Sequence, residues 1–359
     1  MRFILYLVNL KFNLLKLMLI NIKNKYLPTD FYHECIDKLI SFLMFIRLSK
    51  IEKAKIKYTV RIYDKGSKWS RIIKMQTPNQ SGIWNNIFFK TYGKADIHIG
   101  LNDISEFKFY HNKNINKWWI HTEPPSYIKL FKYKEKIDIN HFDKIYTSST
   151  DFNHFSKNVF LSPPYVFWYI GYSAYNIKKN FDYINYNFLF NLKKGHKENK
   201  LVVIASAVND IPGHAARTNF ITTLAKYNFS FEIWGSEKWK YSNKYKGFSA
   251  NKLDTYFKSK YVLVIENDKC DYYWSEKFTD AILSYSIPIY YGCNNISDFF
   301  PDGSYIPIDI HDVNVFSSIQ TIVTSNFYEK NFHNLIKARK IILEEQNFFA
   351  FIDSKIKIN

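Results

Sequence analysis

The chain has 359 residues, 47% of them hydrophobic, which is enough for sizeable cores and excludes wholesale disorder. No uninterrupted apolar run supports a multi-span membrane protein, and three cysteines (Cys35, Cys270, Cys293) match neither a zinc pattern nor a disulfide framework. The net charge of +18 first suggests a polyanion partner. However, 44 of the 50 basic residues are lysines spread along the chain, in a composition equally loaded with Asn, Ile, Phe and Tyr. Nucleic acid is therefore not the expected partner.

In chain order, residues 1–52 read as an amphipathic helical extension. On a helical wheel over 3–20, Arg2, Asn9, Asn13, Lys16 and Lys23 share one side, which favours a helix lying in a membrane interface over one that spans it. A second apolar stretch, Leu39–Leu48, either does the same or packs on the first, so peripheral membrane contact is expected through residues 2–48. A helical hairpin buried against the body is the alternative.

Residues 55–190 form the first α/β unit. Short β-rich pieces recur at Lys57–Tyr63, Ile97–Ile99, Trp118–His121, Asp143–Ser148 and Val166–Ile170, punctuated by Pro124–Pro125 and Pro163–Pro164. Residues 191–200 (NLKKGHKENK) have a linker composition. Beyond them the rhythm becomes regular: strands at Leu201–Ala205, Phe229–Trp234, Tyr261–Glu266, Ile287–Tyr291 and Tyr305–Ile308 alternate with helices at Ala215–Tyr227, Asn251–Ser259 and Glu276–Tyr285. Such alternation predicts a parallel, doubly wound sheet over 200–326, followed by a closing helix within 327–350. Ligands of such sheets sit beyond the carboxyl ends of the strands.

The six arginines stand at 2, 47, 61, 71, 217 and 339, so Arg217 is isolated among dozens of lysines. A planar two-pronged donor suits a phosphate or carboxylate gripped in fixed geometry. Several fingerprints are missing: GxGxxG, the P-loop, the GxSxG elbow and any DxD pair. A bound diphosphate must then be neutralised by side chains or backbone amides. Glu276 and Lys277 open a helix after a buried strand and a loop. There an ammonium group and free N–H groups suit an anion, and a carboxylate suits paired ribose hydroxyls.

The stretch Asp271–Asp309 resembles the donor-binding domain of the family 10 glycosyltransferases, the α-1,3-fucosyltransferases. The resemblance rests on Glu276, Lys277, Ala281, Pro288, Ile289, Gly292, Pro301 and Ser304-Tyr305-Ile306, in that order. Residues 201–227 resemble the family's strand–loop–helix, with Ala216-Arg217 as its Ala-Arg. Residues 118–131 and 142–152 look like the segment around its Gly-Glu-Asn, with His121-Thr122-Glu123-Pro124 here as a departure.

Over roughly 115–310 the resemblance implies a GT-B-like α/β fold, two Rossmann-like domains facing across a cleft, with GDP-fucose as donor, an acceptor glycan and inversion at the sugar carbon. It implies Glu123 as general base, Arg217 and Lys277 on the diphosphate, Glu276 on the ribose and Tyr273 lining the donor pocket, with no metal or cofactor. Two alternatives stay open: the same fold with another nucleotide-sugar donor, and a non-catalytic basic protein that binds membranes or nucleic acid. A peripheral site on the cytoplasmic face of a membrane is expected, with a Golgi-type anchor left open.

Overall fold

In a computed structural model the described residues are 29–64, 69–102, 114–130, 138–152, 156–165, 167–171, 184–206, 208 and 211–357. The expected helix over 3–20 lies outside them. The chain forms two compact units, Met1–Trp118 and Trp119–Asn359. The linker-like residues 191–200 lead directly into a strand of the second unit.

Among the described residues thirteen strands make two sheets. The first has the order β2-β3-β1-β4-β5-β6-β7. Its strands are β1 (Tyr58–Tyr63), β2 (Ile83–Trp84), β3 (Ile87–Lys90), β4 (Ile97–Leu101), β5 (Asn116–Ile120), β6 (Lys144–Thr147) and β7 (Val159–Leu161). Strand β1 pairs in parallel with β3 and β4, and β6 with β7, whereas β2 and β3 form an antiparallel hairpin. The central strands are buried on both faces, as a parallel sheet requires: Ile97, Ile99 and Leu101 on one face of β4 with His98 and Gly100 on the other, and Trp118, Trp119 and Ile120 in β5. Trp118 and Trp119 are core residues.

The second sheet has the order β10-β9-β8-β11-β12-β13, from β8 (Glu198–Ala205), β9 (Phe231–Gly235), β10 (Tyr245–Gly247), β11 (Ser259–Ile265), β12 (Ile287–Tyr291) and β13 (Ile306–Pro307). Renumbered from its own first strand, this is 3-2-1-4-5-6, the Rossmann order. All five ladders are parallel. The strand order reverses between β8 and β11, and the crevice beyond their carboxyl ends is where such a sheet takes a ligand. Helices Pro212–Leu224, Lys252–Tyr256 and Glu276–Leu283 connect the strands. Helices Val315–Thr324, Phe327–Glu344 and Phe348–Lys357 close the unit, burying Leu335, Ile342, Phe349 and Ile352.

One expected strand is corrected. Residues 167–171 carry no strand; the strand of this region is Val159–Leu161, upstream of Pro163 and Pro164. The N–H groups of Tyr169 and Ile170 donate to the Asp280 carboxylate (2.9 and 3.4 Å) instead of to a neighbouring strand. Helices Trp69–Gln76, Val315–Thr324 and Phe348–Lys357 were not anticipated from the sequence.

Candidate functional site

The site is built at the carboxyl end of β11. The apolar run Tyr261–Ile265 ends on Glu266, whose side chain is fully buried. A carboxylate there requires partners. Glu266 accepts from the Ser275 N–H (2.8 Å), the Ser275 hydroxyl (2.7 Å) and the Lys277 ammonium (3.3 Å). It thereby fastens the start of helix Glu276–Leu283 to the strand end. Ser275 caps that helix, accepting from the Lys277 N–H at 3.3 Å, and its hydroxyl lies 3.0 Å from the Lys277 ammonium. The connecting loop is pinned where Asn295 accepts from the Tyr272 N–H (2.8 Å), with Tyr272 at φ 61°, a left-handed conformation uncommon for its residue type.

Arg217 approaches from the other side of the switch point, on the helix following β8. It is buried and donates to the Asn267 side-chain oxygen at 2.8 Å. Burial pulls its pKa below the usual arginine value, while the carboxylates of Glu266 and Glu276 push the other way. Gly213 permits this arrangement. A Cβ there would lie 1.8 Å from the Asn267 carbonyl oxygen, so only glycine lets the helix start press onto the strand end. This is the close backbone approach that a glycine-rich fingerprint usually supplies. Pro212, Gly213, Ala216, Glu266, Asn267 and Tyr291 help line a cavity of about 250 Å³ at this point.

Glu276 stands between two cations, 3.8 Å from Lys252 and 3.9 Å from Lys277. Burial raises its pKa, but Lys277 and Lys252 outweigh that and hold it below the usual carboxylate value. One turn on, fully buried Asp280 accepts from Lys252 at 2.7 Å. Burial pushes Asp280 up to about 6, against the opposing pull of Lys252. Tyr273 is buried with its pKa raised well above the ordinary phenol value, first by burial and then by the charges of Glu266, Glu276 and Glu123.

Glu123 lies three residues beyond β5, half-buried, ahead of helix Pro125–Leu130, and its charge is felt at Tyr273. The same segment is tied to the strand end, because Asp268 accepts from the Ser126 N–H at 2.7 Å. All five residues singled out in the sequence, Glu123, Arg217, Tyr273, Glu276 and Lys277, thus fall in the second unit within one electrostatic neighbourhood.

Sequence reasoning missed Glu266, Asn267, Lys252 and Asp280. The signal for Glu266 was an acidic residue ending an otherwise apolar buried strand; Lys252 looked like any other lysine. His121 is fully buried against Trp119 and Phe152, and burial drops its pKa to about 3, so it stays neutral and structural.

No curated protein sequence matches the chain. Among solved structures it is similar to an α1,3-fucosyltransferase (TM-score 0.48, 16% identity, 84% of this chain and 94% of that one). It is also similar to an α1,3-fucosyltransferase with GDP-fucose (0.45, 16%, 81% and 92%) and to TarM of S. aureus in complex with fondaparinux, α-GlcNAc-glycerol and UDP (0.47, 18%, 73% and 55%). Residues 196–331 match the family model described as glycosyltransferase family 10 (fucosyltransferase) C-term. The matched span contains β8 to β13, Arg217, Tyr273, Glu276 and Lys277, and the chain is accordingly a glycosyltransferase that carries the C-terminal domain of family 10.

Proposed function

We propose that the chain transfers fucose from GDP-fucose to a hydroxyl of an acceptor glycan, with inversion at the sugar carbon. The observation that carries this reading is the convergence of Arg217, Tyr273, Glu276 and Lys277 on the strand end at Glu266, at the switch point of a Rossmann-ordered sheet. In the transfer, the acceptor oxygen forms a bond to the sugar carbon as the bond from that carbon to the diphosphate breaks on the opposite face. Negative charge grows on the departing diphosphate. Arg217 and Lys277 are the fixed cations at hand, and preorganised donors of this kind are each worth on the order of 3 kcal/mol of barrier. Glu123 takes the acceptor proton as general base. Glu276, kept ionised by its two lysines, accepts from the donor ribose hydroxyls, and Tyr273 packs beside the donor.

The test is a thermal-shift titration with GDP, UDP, CMP and ADP, followed by transfer from GDP-fucose to an acceptor array. A shift with GDP alone, much reduced by Arg217→Ala, is the expected outcome. Saturation at a hundred times Kd adds about 2.7 kcal/mol of stability. A shift with UDP or CMP and not GDP discards fucose and keeps the glycosyltransferase. No shift with any of the four removes the donor-site reading.

A further inference from the structure

Helix Thr29–Arg47 breaks the usual rule for a surface helix. It buries Ser41, Leu43 and Met44 and rests the Phe45 ring on Phe88 (centroids 5.5 Å), with Leu48 buried just past its end, and its solvent-facing residues should be polar. Instead Phe42 (60% exposed) and Ile46 (42%) face solvent there, next to the half-exposed edge of Phe45. The short helix Lys50–Lys55 that follows buries no residue and leaves Ile51 70% exposed. Cations surround these groups. Lys53 lies 4.9 Å over the Phe45 ring, and Lys38 lies 5.0 Å over the ring of the exposed Tyr92. Between 38 and 57 the chain has Lys38, Arg47, Lys50, Lys53, Lys55 and Lys57 against Glu52 alone.

We propose that this face docks on an anionic lipid surface, with Phe42, Ile46 and Ile51 entering the headgroup–acyl boundary and the lysines on the lipid phosphates. Exposed rings and aliphatics flanked by lysines are what an interfacial helix needs, because area and charge contribute together. Charge also argues against two rival occupants. The chain's own residues 1–28 bring Arg2, Lys11, Lys16, Lys23 and Lys25 against Asp30 only just beyond them, placing cations on cations, and a second copy of a chain of charge +18 does the same. Among the described residues no helix is long and apolar enough to cross a membrane. The proposal is independent of the reaction above.

The experiment is co-sedimentation of the full chain with vesicles of phosphatidylcholine containing phosphatidylglycerol, and with phosphatidylcholine alone. Binding is expected to the anionic vesicles, at least tenfold weaker to the neutral ones, and falling with salt. Phe42→Glu with Ile51→Glu changes only exposed positions, so the fold should survive, as an unchanged melting temperature checks. That variant should lose at least tenfold in partitioning, and Lys50→Ser or Lys53→Ser about fivefold each. Wild-type partitioning of the double variant overturns the proposal and moves any anchor elsewhere in the chain. Equal binding to both vesicle types overturns the anionic assignment. A change in oligomeric state of the variant without a change in partitioning makes the face a protein interface instead.

Discussion

The two ends of the second sheet each hold a buried cation, and the difference between them separates a structural ammonium from a working guanidinium. At the amino ends of β8, β11 and β12, the buried Lys197 ammonium donates to the carbonyls of Tyr256 (3.2 Å), Ser259 (3.0 Å) and Ser284 (2.7 Å), and lies 2.9 Å from the Ser286 hydroxyl. Its hydrogen-bond partners are all neutral oxygens, one carbonyl at the start of β11, two at helix ends and one serine hydroxyl, with the Phe257 ring 5.3 Å away. Burial lowers the Lys197 pKa to about 6. The three carbonyls nevertheless call for three N–H donors, and we take the charged form as the one this geometry was built around. At the carboxyl ends of β8 and β11, Arg217 has one carboxamide partner in Asn267 and lies in the fields of Glu266, Tyr273 and Glu276. One cation ties helix ends to a strand start through neutral oxygens, while the other stands among ionisable groups beside a cavity. Burial alone does not mark a site; the chemistry of the neighbours does.

The largest effect should come from Glu123, whose charge reaches the carboxyl end. Glu123→Gln should lower kcat by about 10²–10⁴-fold with GDP affinity unchanged, since only the transition state loses its proton acceptor. Steady-state rates on GDP-fucose with a separate GDP titration check this, and an unaltered kcat discards the base assignment. Next is the other end of the sheet. Lys197→Met takes the ammonium from three buried carbonyls, with the single Ser286 hydroxyl proton left to serve one of Tyr256 and Ser259, and should cost about 3 kcal/mol in urea unfolding. The protein that stays folded should bind GDP as before. A selective loss of GDP binding without loss of stability would erase the distinction between the two ends. Arg217→Ala should weaken GDP by about 30- to 100-fold, roughly 2–3 kcal/mol. Arg217→Lys should recover little, because an ammonium lacks the planar fork. Full recovery by lysine would reduce the role of Arg217 to charge alone.

How much of this was legible differs between the same two ends. The parallel, doubly wound sheet and five of its six strands followed from short apolar runs separated by helical spacing, whereas β10 (Tyr245–Gly247), too short and too exposed to show an apolar run, did not. Arg217 was legible by its isolation and Glu276-Lys277 by its place at a helix start. Asn267 was not, because one asparagine in an Asn-rich chain carries no period and no rare side chain. Lys197 was read as part of a polar linker, since sequence alone cannot tell a lysine in solvent from one that donates to three carbonyls. Val166–Ile170 looked like a strand by its β-prone side chains. The N–H groups of Tyr169 and Ile170 go instead to Asp280, more than a hundred residues away in sequence, which no local pattern can announce. Gly213 stood in plain view, but its purpose, the 1.8 Å that a Cβ would have to the Asn267 carbonyl, exists only once β11 and the helix after β8 are side by side.

The smallest predicted effect is also the most specific to the carboxyl end. Lys252 bridges two carboxylates on one helix face, Asp280 at 2.7 Å and Glu276 at 3.8 Å. Its removal leaves two partly or wholly buried acids four residues apart with no shared cation. Lys252 is itself partly exposed, so solvent screens some of the loss, and Lys252→Met should cost about 1–2 kcal/mol of stability. Donor affinity should fall with it, because Lys252 is one of the two cations that hold Glu276 ionised. Adding Asp280→Asn removes the stranded charge while keeping an oxygen to accept from Tyr169. The double variant should regain most of the stability and, if Glu276 is the ribose contact, only part of the affinity. Urea unfolding and GDP titration on the four proteins of this cycle measure both quantities. If stability and affinity return together, Lys252 acts through the packing of helix Glu276–Leu283. If only stability returns, the ammonium is a positioning group for Glu276, and the carboxyl end of the sheet differs from the amino end in this cation as well.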